Sequence, residues 1–466
     1  MNSPILHVMV VGFHHTKGSQ VEYCYPTLQE EGGEVLMPRV WENLPNLAMP
    51  DGSHNSPNGD TVYFTLPSSE DSRCTVFGIA CYKHIDSKKL LQKEADVTRS
   101  HVQKSVVVLS RIPLYGNLRA KLELITEAYF NEKDFTKVGV LEQTFNNLTD
   151  MFTYDLMDNQ AIYMGIPLYS LLMSFKHRTL ELVKLLLLEK KIIFDITPTS
   201  RLSNVLMGLI SLFPCTLEDG LTECAVTSKS GCHSESLNTN DYGFPLSIFT
   251  KGYLFHPYLS VNWIEQLRSD NVRGYCIGVT NGIFQSNKDL YDAYVTIDAS
   301  GAGSINISDH KLQKLVDLTT QDVRFMQNIL QGVENSTPSD FTGNDDWVRV
   351  QVYSYICSLL IVGKNEKSEH CAEYNSEFLT AWRDTHNFRV WNAGNHEPMP
   401  DVVAEHPCSG PIGAQDFLLI VGRKFNNSGQ GRKVINTINS TAKYMSEQGS
   451  RLKSSFSTWI SRPSHS

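Results

Sequence analysis

The amino-acid sequence predicts a mixed α+β and α/β architecture: a small sheet domain, then an α/β domain, then a helical C-terminal part. The strongest observation is Phe175–Pro214, FKHRTLELVKLLLLEKKIIFDITPTSRLSNVLMGLISLFP. Apolar Leu172, Phe175, Leu182, Val183 and Leu186 recur at helical spacing, and Glu189-Lys190-Lys191 closes that helix with charge. Ile192–Ile196 is a β-branched and aromatic run without polar alternation, so both its faces must be covered, as in a sheet flanked by helices. Leu202, Val205, Leu206, Leu209, Ile210 and Phe213 then trace one helical face, with Ser200 placed as N-cap and Pro214 as the stop.

The second observation is the series of short strands that precedes this unit. Leu6–Phe13 and Val21–Tyr25 flank the turn-like His14–Ser19, and DTVYFTL (Asp60–Leu66) and TVFGIACY (Thr75–Tyr82) flank a polar loop. Val106–Leu109 is a further strand, and Leu118, Leu122, Ile125 and Tyr129 begin a helix after Pro113 and Gly116. Residues 1–130 therefore read as an antiparallel sheet closed by a helix. Residues 131–163 are polar and weakly patterned, which predicts a linker. Within the central domain, 164–300, the Ser/Thr/Asn-rich stretch 222–241 reads as a loop or disordered insertion. Pro245–Leu254, Gly274–Val279 and Tyr294–Ile297 are its remaining strands. The third observation is the change in pattern over 301–420. Val348, Val352, Tyr355, Leu359 and Val362 form one helical stripe, and Trp347, Val350, Cys357 and Ile361 a second, so that helix is predicted to be buried.

Composition narrows the function. At 466 residues, with 41% hydrophobic and 20% charged residues, the chain has enough material for two or three packed domains. Its ten cysteines include no CxxC pair, which argues against a zinc framework and fits reduced thiols. Apolar runs such as Leu185–Leu188 and Ile356–Val362 fall far short of the ~18 residues of a membrane span, so any membrane relation is predicted to be peripheral. From Val421 to Ser466 eight Lys or Arg stand against one acid, so the tail carries +7 and residues 1–420 carry −16. An acidic body argues against nucleic acid as a partner.

The chemistry-bearing motifs are sparse. Neighbouring strand residues point to opposite faces, so His14-His15 make a poor metal pair and read as turn or packing residues. Gly274-Tyr275-Cys276-Ile277-Gly278 matches the letters of a nucleophile elbow, which makes Cys276 the candidate of a remote thiol-hydrolase reading; a buried strand cysteine is the plainer one. Glu189-Lys190-Lys191 and Asp345-Asp346 read as solvated helix ends, the latter suited to a helix N-terminus. The chain has no phosphate-binding glycine loop, and no catalytic, cofactor or metal residues are assigned.

Laid out in this order, the chain resembles the DENN module. VQKSVVVLSRIPLYGNLRAKLELITEAYF (Val102–Phe130), LLEKKIIF leading into SRLSNVLMGLISLFP, and VRGYCIGVTNGIFQ (Val272–Gln285) carry that resemblance. More specific segments are VVGFHHTKGSQVEYCYP (Val10–Pro26), LAMPDGSHN (Leu47–Asn55), YGFPLSIFTKGYLFHPYLS (Tyr242–Ser260), GNDDWVRVQVYSYICSLL (Gly343–Leu360) and AWRDTHNFRVWN (Ala381–Asn392). By these the chain is similar to one branch, the Avl-nine family of the late secretory pathway, over about Leu6–Asn392. Relatives often carry a long acidic insertion before YGFPLSIFTKGYL, whereas 222–241 is short here.

The resemblance implies a tripartite arrangement: a longin-like N-terminal lobe, a central α/β domain and a helical part. It implies peripheral action on Golgi-derived or recycling-endosome membranes from the cytoplasm, with links to polarity and migration. It also implies guanine-nucleotide exchange on a Rab-type small GTPase, or a non-catalytic adaptor role on the same fold. The architecture then places the partner surface where the first two domains meet, at Pro113, Leu114, Tyr115, Gly116 and Asn117, and at Thr197, Thr199, Ser200 and Arg201. Separately, in the tail (421–466) Val434, Ile438, Ala442, Met445, Leu452, Phe456 and Trp459 trace one helical face among basic and hydroxyl residues. Such a face suits an anionic membrane surface, with docking on the protein body as the alternative.

Overall fold

A computed structural model describes residues 3–408, apart from 15, 29, 32–33, 36, 54–58, 72, 93–99, 156–159, 227–236, 338–339, 397–398 and 400–403. The chain divides into two units, one comprising residues up to Asp317 with Thr380–Asn395, the other Leu318–Leu379 with the residues from His396.

The first unit holds two sheets. Strands β1 (Ile5–His14), β2 (Gly18–Tyr25), β3 (Asp60–Pro67), β4 (Thr75–Asp86) and β5 (His101–Ser110) form an antiparallel sheet in the order β2-β1-β5-β4-β3. Helix α1 (Tyr115–Asn131) lies against β4 and β5, burying Leu118, Leu122 and Tyr129. The segment expected to be a linker instead contains α2 (Gly139–Met151), which packs on β1. Leu141, Phe145 and Leu148 are buried there, the Phe145 ring meets Tyr25 edge-on at 5.4 Å, and the Tyr23 hydroxyl donates to Glu142 at 3.1 Å. Five apolar residues scattered through thirteen are a weak signal in sequence, yet the three that are buried suffice once a sheet face receives them.

The second sheet runs β10-β9-β6-β8-β7, from β6 (Ile192–Asp195), β7 (Tyr253–His256), β8 (Gly274–Val279), β9 (Ala293–Ile297) and β10 (Gly303–Ile307). The four strands β6 to β9 are parallel, and β10 is an antiparallel edge beyond the expected limit at residue 300. Ile192, Ile193 and Phe194 are all fully buried, as the missing alternation requires. The strand expected over Pro245–Leu254 begins only at Tyr253, because the preceding residues form turns.

The helix expected before β6 is two helices, α3 (Tyr169–Phe175) and α4 (Thr179–Leu187), separated where Lys176 takes a left-handed φ of 49°. After β6, α5 (Thr199–Ser211) packs on both β8 and β3 and therefore touches both sheets. Its approach to β8 is close: a Cβ on Gly278 would lie 2.2 Å from the Pro257 carbonyl oxygen and 2.8 Å from Leu206.

In the second unit, α6 (Thr320–Asn335) opens with a capping box between Thr319 and Asp322. Helix α7 (Asp345–Lys364) opens at Asn344, with Asp345 and Asp346 in its first turn as expected. All of the first α7 stripe is buried, while Val350 and Ile361 of the second are half-exposed. The Asp322 carboxylate is fully buried, accepting the Tyr355 hydroxyl at 2.8 Å and the His406 Nε2–H at 3.3 Å. The Cys408 backbone N–H donates to the other His406 nitrogen at 3.1 Å.

Candidate partner interface

Strand β3 is the last strand of the first sheet, so one row of its backbone groups has no strand partner. An open edge of that kind has to be covered or charged. Here the second lobe of the same unit covers it. The Tyr63 N–H donates to the Ser203 hydroxyl at 3.2 Å, and the Thr199 hydroxyl lies 3.2 Å from the Thr61 carbonyl oxygen. Farther along, the Thr65 hydroxyl donates to the Phe255 carbonyl at 2.9 Å and accepts from His256 Nδ1 at 2.7 Å. The Tyr258 hydroxyl accepts the Asp51 N–H at 2.8 Å, and the Thr280 hydroxyl donates to the Asp51 carbonyl at 2.9 Å.

The strongest contact across this seam is made by Asp60. Its two carboxylate oxygens accept the Thr199 N–H at 2.8 Å and the Ser200 N–H at 3.0 Å, the first orphan donors of α5. Ser200 is therefore not the N-cap; Pro198 occupies that position and supplies no side-chain cap, and the acid of a strand 139 residues away does the capping. An anion at a helix N-terminus also meets the favourable end of the helix dipole. Beside it the Arg119 guanidinium joins α1 to α5, donating to Glu123 at 2.9 Å and to Asn204 at 3.0 Å.

Both segments expected to form the partner surface lie on this seam, though not all of their residues face outward. Pro113, Leu114 and Tyr115 are buried: the Tyr115 ring stacks on Tyr63 at 4.5 Å, and its hydroxyl donates to the Phe64 carbonyl at 2.7 Å. Gly116 presses against the backbone of Met164 and Gly165, and Asn117 donates to the Ala161 carbonyl at 2.5 Å. Thr199 is buried against Asp60. Thr197 is exposed, and solvent reaches Gly116, Asn117, Ser200 and Arg201 in part. Asp60, Arg119, Ser203 and Asn204 stand outside the expected segments, because their roles depend on partners distant in the chain. Met164, whose backbone supports Gly116, has an exposed side chain (60%).

Burial sets the electrostatics. His256 is fully enclosed, and loss of solvation lowers its pKa to about 4, so the ring is neutral at physiological pH. Burial raises the Tyr63 phenol to about 12.

The remaining candidates resolve simply. Cys276 lies at the centre of β8, paired with Ile192 on one side and Phe255 on the other, and is fully buried. Desolvation pushes its thiol far up, so it has neither access nor ionisation for nucleophilic attack, and the thiol-hydrolase reading falls. His14 Nδ1 accepts the Thr16 and Lys17 N–H groups at 3.2 Å each, a turn-stabilising role; His15 lies outside the described residues. Glu189, expected to be a solvated helix end, has its side chain shielded from solvent instead. It accepts the His386 N–H at 3.1 Å and the Asn387 N–H at 2.8 Å, capping the helix His386–Ala393, and pairs with Arg273. Among the described residues no group of three His, Cys, Asp or Glu is placed to hold a metal ion, and no helix is long and apolar enough to cross a membrane. Ile438, Met445, Leu452, Phe456 and Trp459 lie outside the described residues.

Comparison with known proteins agrees with the segments quoted from the sequence. Residues 5–362 match the family model described as "Transport protein Avl9". The chain is similar to "Late secretory pathway protein avl9" of Schizosaccharomyces pombe, 32% identical over 437 residues, covering 87% of this chain and 90% of the relative. It is also similar to "Late secretory pathway protein AVL9" of Saccharomyces cerevisiae, 30% identical over 463 residues, covering 85% of this chain but 59% of that longer relative. The matched region includes β3, α5 and the whole seam between them, and by these matches the chain belongs to the Avl9 transport-protein family.

Proposed function

We propose that this chain works in late secretory transport, from the Golgi toward the surface or through recycling endosomes, as a DENN-type regulator that accelerates GDP release from a Rab-type small GTPase. The observation that carries the partner-binding part is the seam itself. Asp60, Arg119 and Ser203 fix two sheet lobes against each other, and Thr197, Ser200, Arg201, Gly116 and Asn117 reach solvent beside it. Exchange of this kind needs no acid–base residue. A rigid surface that binds the nucleotide-free GTPase more tightly than the loaded one lowers nucleotide affinity by the same factor, and cellular GTP then refills the site. The kinship with proteins named for the late secretory pathway supports the pathway.

The deciding experiment is a GDP-release screen of the purified chain over a panel of Rab proteins. Acceleration for at least one, reduced by Arg201→Glu, is expected; no acceleration for any sinks the exchange reading, and binding of a GTP-loaded Rab without release identifies an adaptor. The tail is assigned to an anionic membrane surface by its apolar face and its +7 charge. Liposome flotation that persists unchanged in a Met445→Asp, Trp459→Asp double variant rejects that assignment.

A further inference from the structure

Strands β4 and β5 outrun the sheet they belong to. Strand β3 pairs with β4 only as far as Tyr82, and β1 with β5 only as far as Lys104. Past those limits His84, Ile85 and Asp86 pair with Gln103, Val102 and His101 and have no third strand beside them. Residues at the end of α1 support this projecting ribbon: Lys83 pairs with Glu127, and the Leu91 N–H donates to the Lys133 carbonyl at 2.8 Å. A short 3-10 helix, Ser87–Lys89, follows β4 at the tip.

The tip carries an exposed apolar side chain beside free cations. Leu91, at 76%, is the most exposed large apolar side chain among the described residues, although its backbone is tied down. Lys88 and Lys89 in the turn, and Lys133 at its anchor, are exposed and form no ion pair among the described residues. The acids nearby are engaged: Asp86 accepts the Lys88 N–H at 2.9 Å, Asp134 accepts the Thr136 N–H at 3.1 Å, and Glu132 pairs with Lys137 at 2.9 Å. Four lysines thus stand against three acids, and residues 93–99 add two of each sign, so the tip is positive on a body of −16. A stable protein interface takes about 800 Å² from each partner, far more than one leucine and a turn supply. A bilayer sets no such requirement: a convex tip enters it, the leucine at the acyl boundary and the ammonium groups among anionic head groups.

We propose that the β4–β5 tip touches an anionic membrane surface, with Leu91 in the interface and Lys88, Lys89 and Lys133 on the head groups. The inference rests on the peripheral-membrane part of the reading above and gives the folded first unit a contact of its own, using no residue of the tail and requiring no nucleotide exchange. Each lysine near such a surface strengthens binding roughly fivefold, so the contact is weak alone. What it adds is direction, since it fixes which end of the first sheet faces the bilayer.

Amide hydrogen exchange on the full chain tests it, with three probes: phosphatidylcholine vesicles containing phosphatidylserine, vesicles of phosphatidylcholine alone, and polyglutamate. Slower hydrogen exchange at 87–92 is expected with the phosphatidylserine vesicles only. The Lys88→Glu, Lys89→Glu double variant is expected to lose that protection and to bind those vesicles about tenfold more weakly in flotation. Both side chains are exposed and form no ion pair among the described residues, so the fold is retained. Unchanged hydrogen exchange at 87–92, equal protection by both kinds of vesicle, or protection that survives in the double variant overturns the proposal. Protection by polyglutamate at least as strong as by vesicles assigns the tip to an acidic protein and also overturns it. The tail assignment is read from Met445→Asp, Trp459→Asp and the exchange reading from GDP release without vesicles, so each fails separately from the tip.

Discussion

Asp60 and Thr199 are joined twice: one carboxylate oxygen of Asp60 accepts both the Thr199 N–H at 2.8 Å and the Thr199 hydroxyl at 2.7 Å. The pair ties the first strand residue of one lobe's edge to the first helical residue of the other. Replacing Asp60 by Ala leaves the Thr199 and Ser200 donors unpaired, and a loss of about 1–2 kcal/mol is expected by urea denaturation. Asp60→Asn keeps an acceptor and is expected to lose less. Equal losses for the two variants would show that the charge, not the cap, carries the contact.

Glu189 is the second carboxylate that caps a helix from a distance. With its side chain 6% exposed, it serves the His386 and Asn387 N–H groups, the Asn387 side-chain amide at 2.9 Å and Arg273. Glu189→Ala strands these donors, and a loss of about 3 kcal/mol is expected. The local consequence is faster amide hydrogen exchange in His386–Ala393, which separates loss of this cap from general destabilisation.

His256 makes the fold sensitive to acid. Its folded pKa is depressed to about 4 against an unfolded value of 6.5, so the unfolded chain binds the extra proton throughout that interval. The His256 contribution is complete above pH 6.5 and is lost as pH falls toward 4, an effect on the order of 3 kcal/mol. His256→Gln is expected to flatten the stability curve between those pH values, read from thermal melts at several pH points. An unchanged slope assigns the acid sensitivity to other groups.

Gly116 tests the support beneath the exposed surface. An added Cβ would stand 2.0 Å from the Met164 carbonyl oxygen and 2.7 Å from Gly165, both backbone, so neither can swing aside as a side chain does. Gly116→Ala is expected to cost about 2 kcal/mol and to displace the Met164 segment, seen as new protease cleavage there. Wild-type stability with an intact cleavage pattern would mean that the segment tolerates the shift.

Whatever depended on near neighbours was legible in the sequence. The unbroken apolar run at Ile192, the helical face from Leu202 to Phe213 and the two stripes around Trp347 and Tyr355 each found their element, because periodicity reports burial directly. What could not be read was chemistry supplied from afar. Glu189 looks solvated until Asn387 arrives beside it, and nothing local tells that Asp60 serves Thr199. Helix Gly139–Met151 went unseen because its few apolar residues gain meaning only against β1. The outward part of the partner surface follows the same division, since Tyr115 and Thr199 belong to the expected segments yet are consumed in holding the lobes together.

The covered edge of β3 has a consequence for how this protein can be divided. A fragment ending near Met151 would keep every strand of its sheet and look self-sufficient, yet it would carry bare donors at Tyr63 and an unmatched carboxylate at Asp60. Such a border invites a second copy to lie alongside it, so the fragment is expected to associate with itself rather than remain a monomer. The two lobes are thus one inheritable part: neither can be exchanged, fused or removed alone without replacing what the other contributed along that strand.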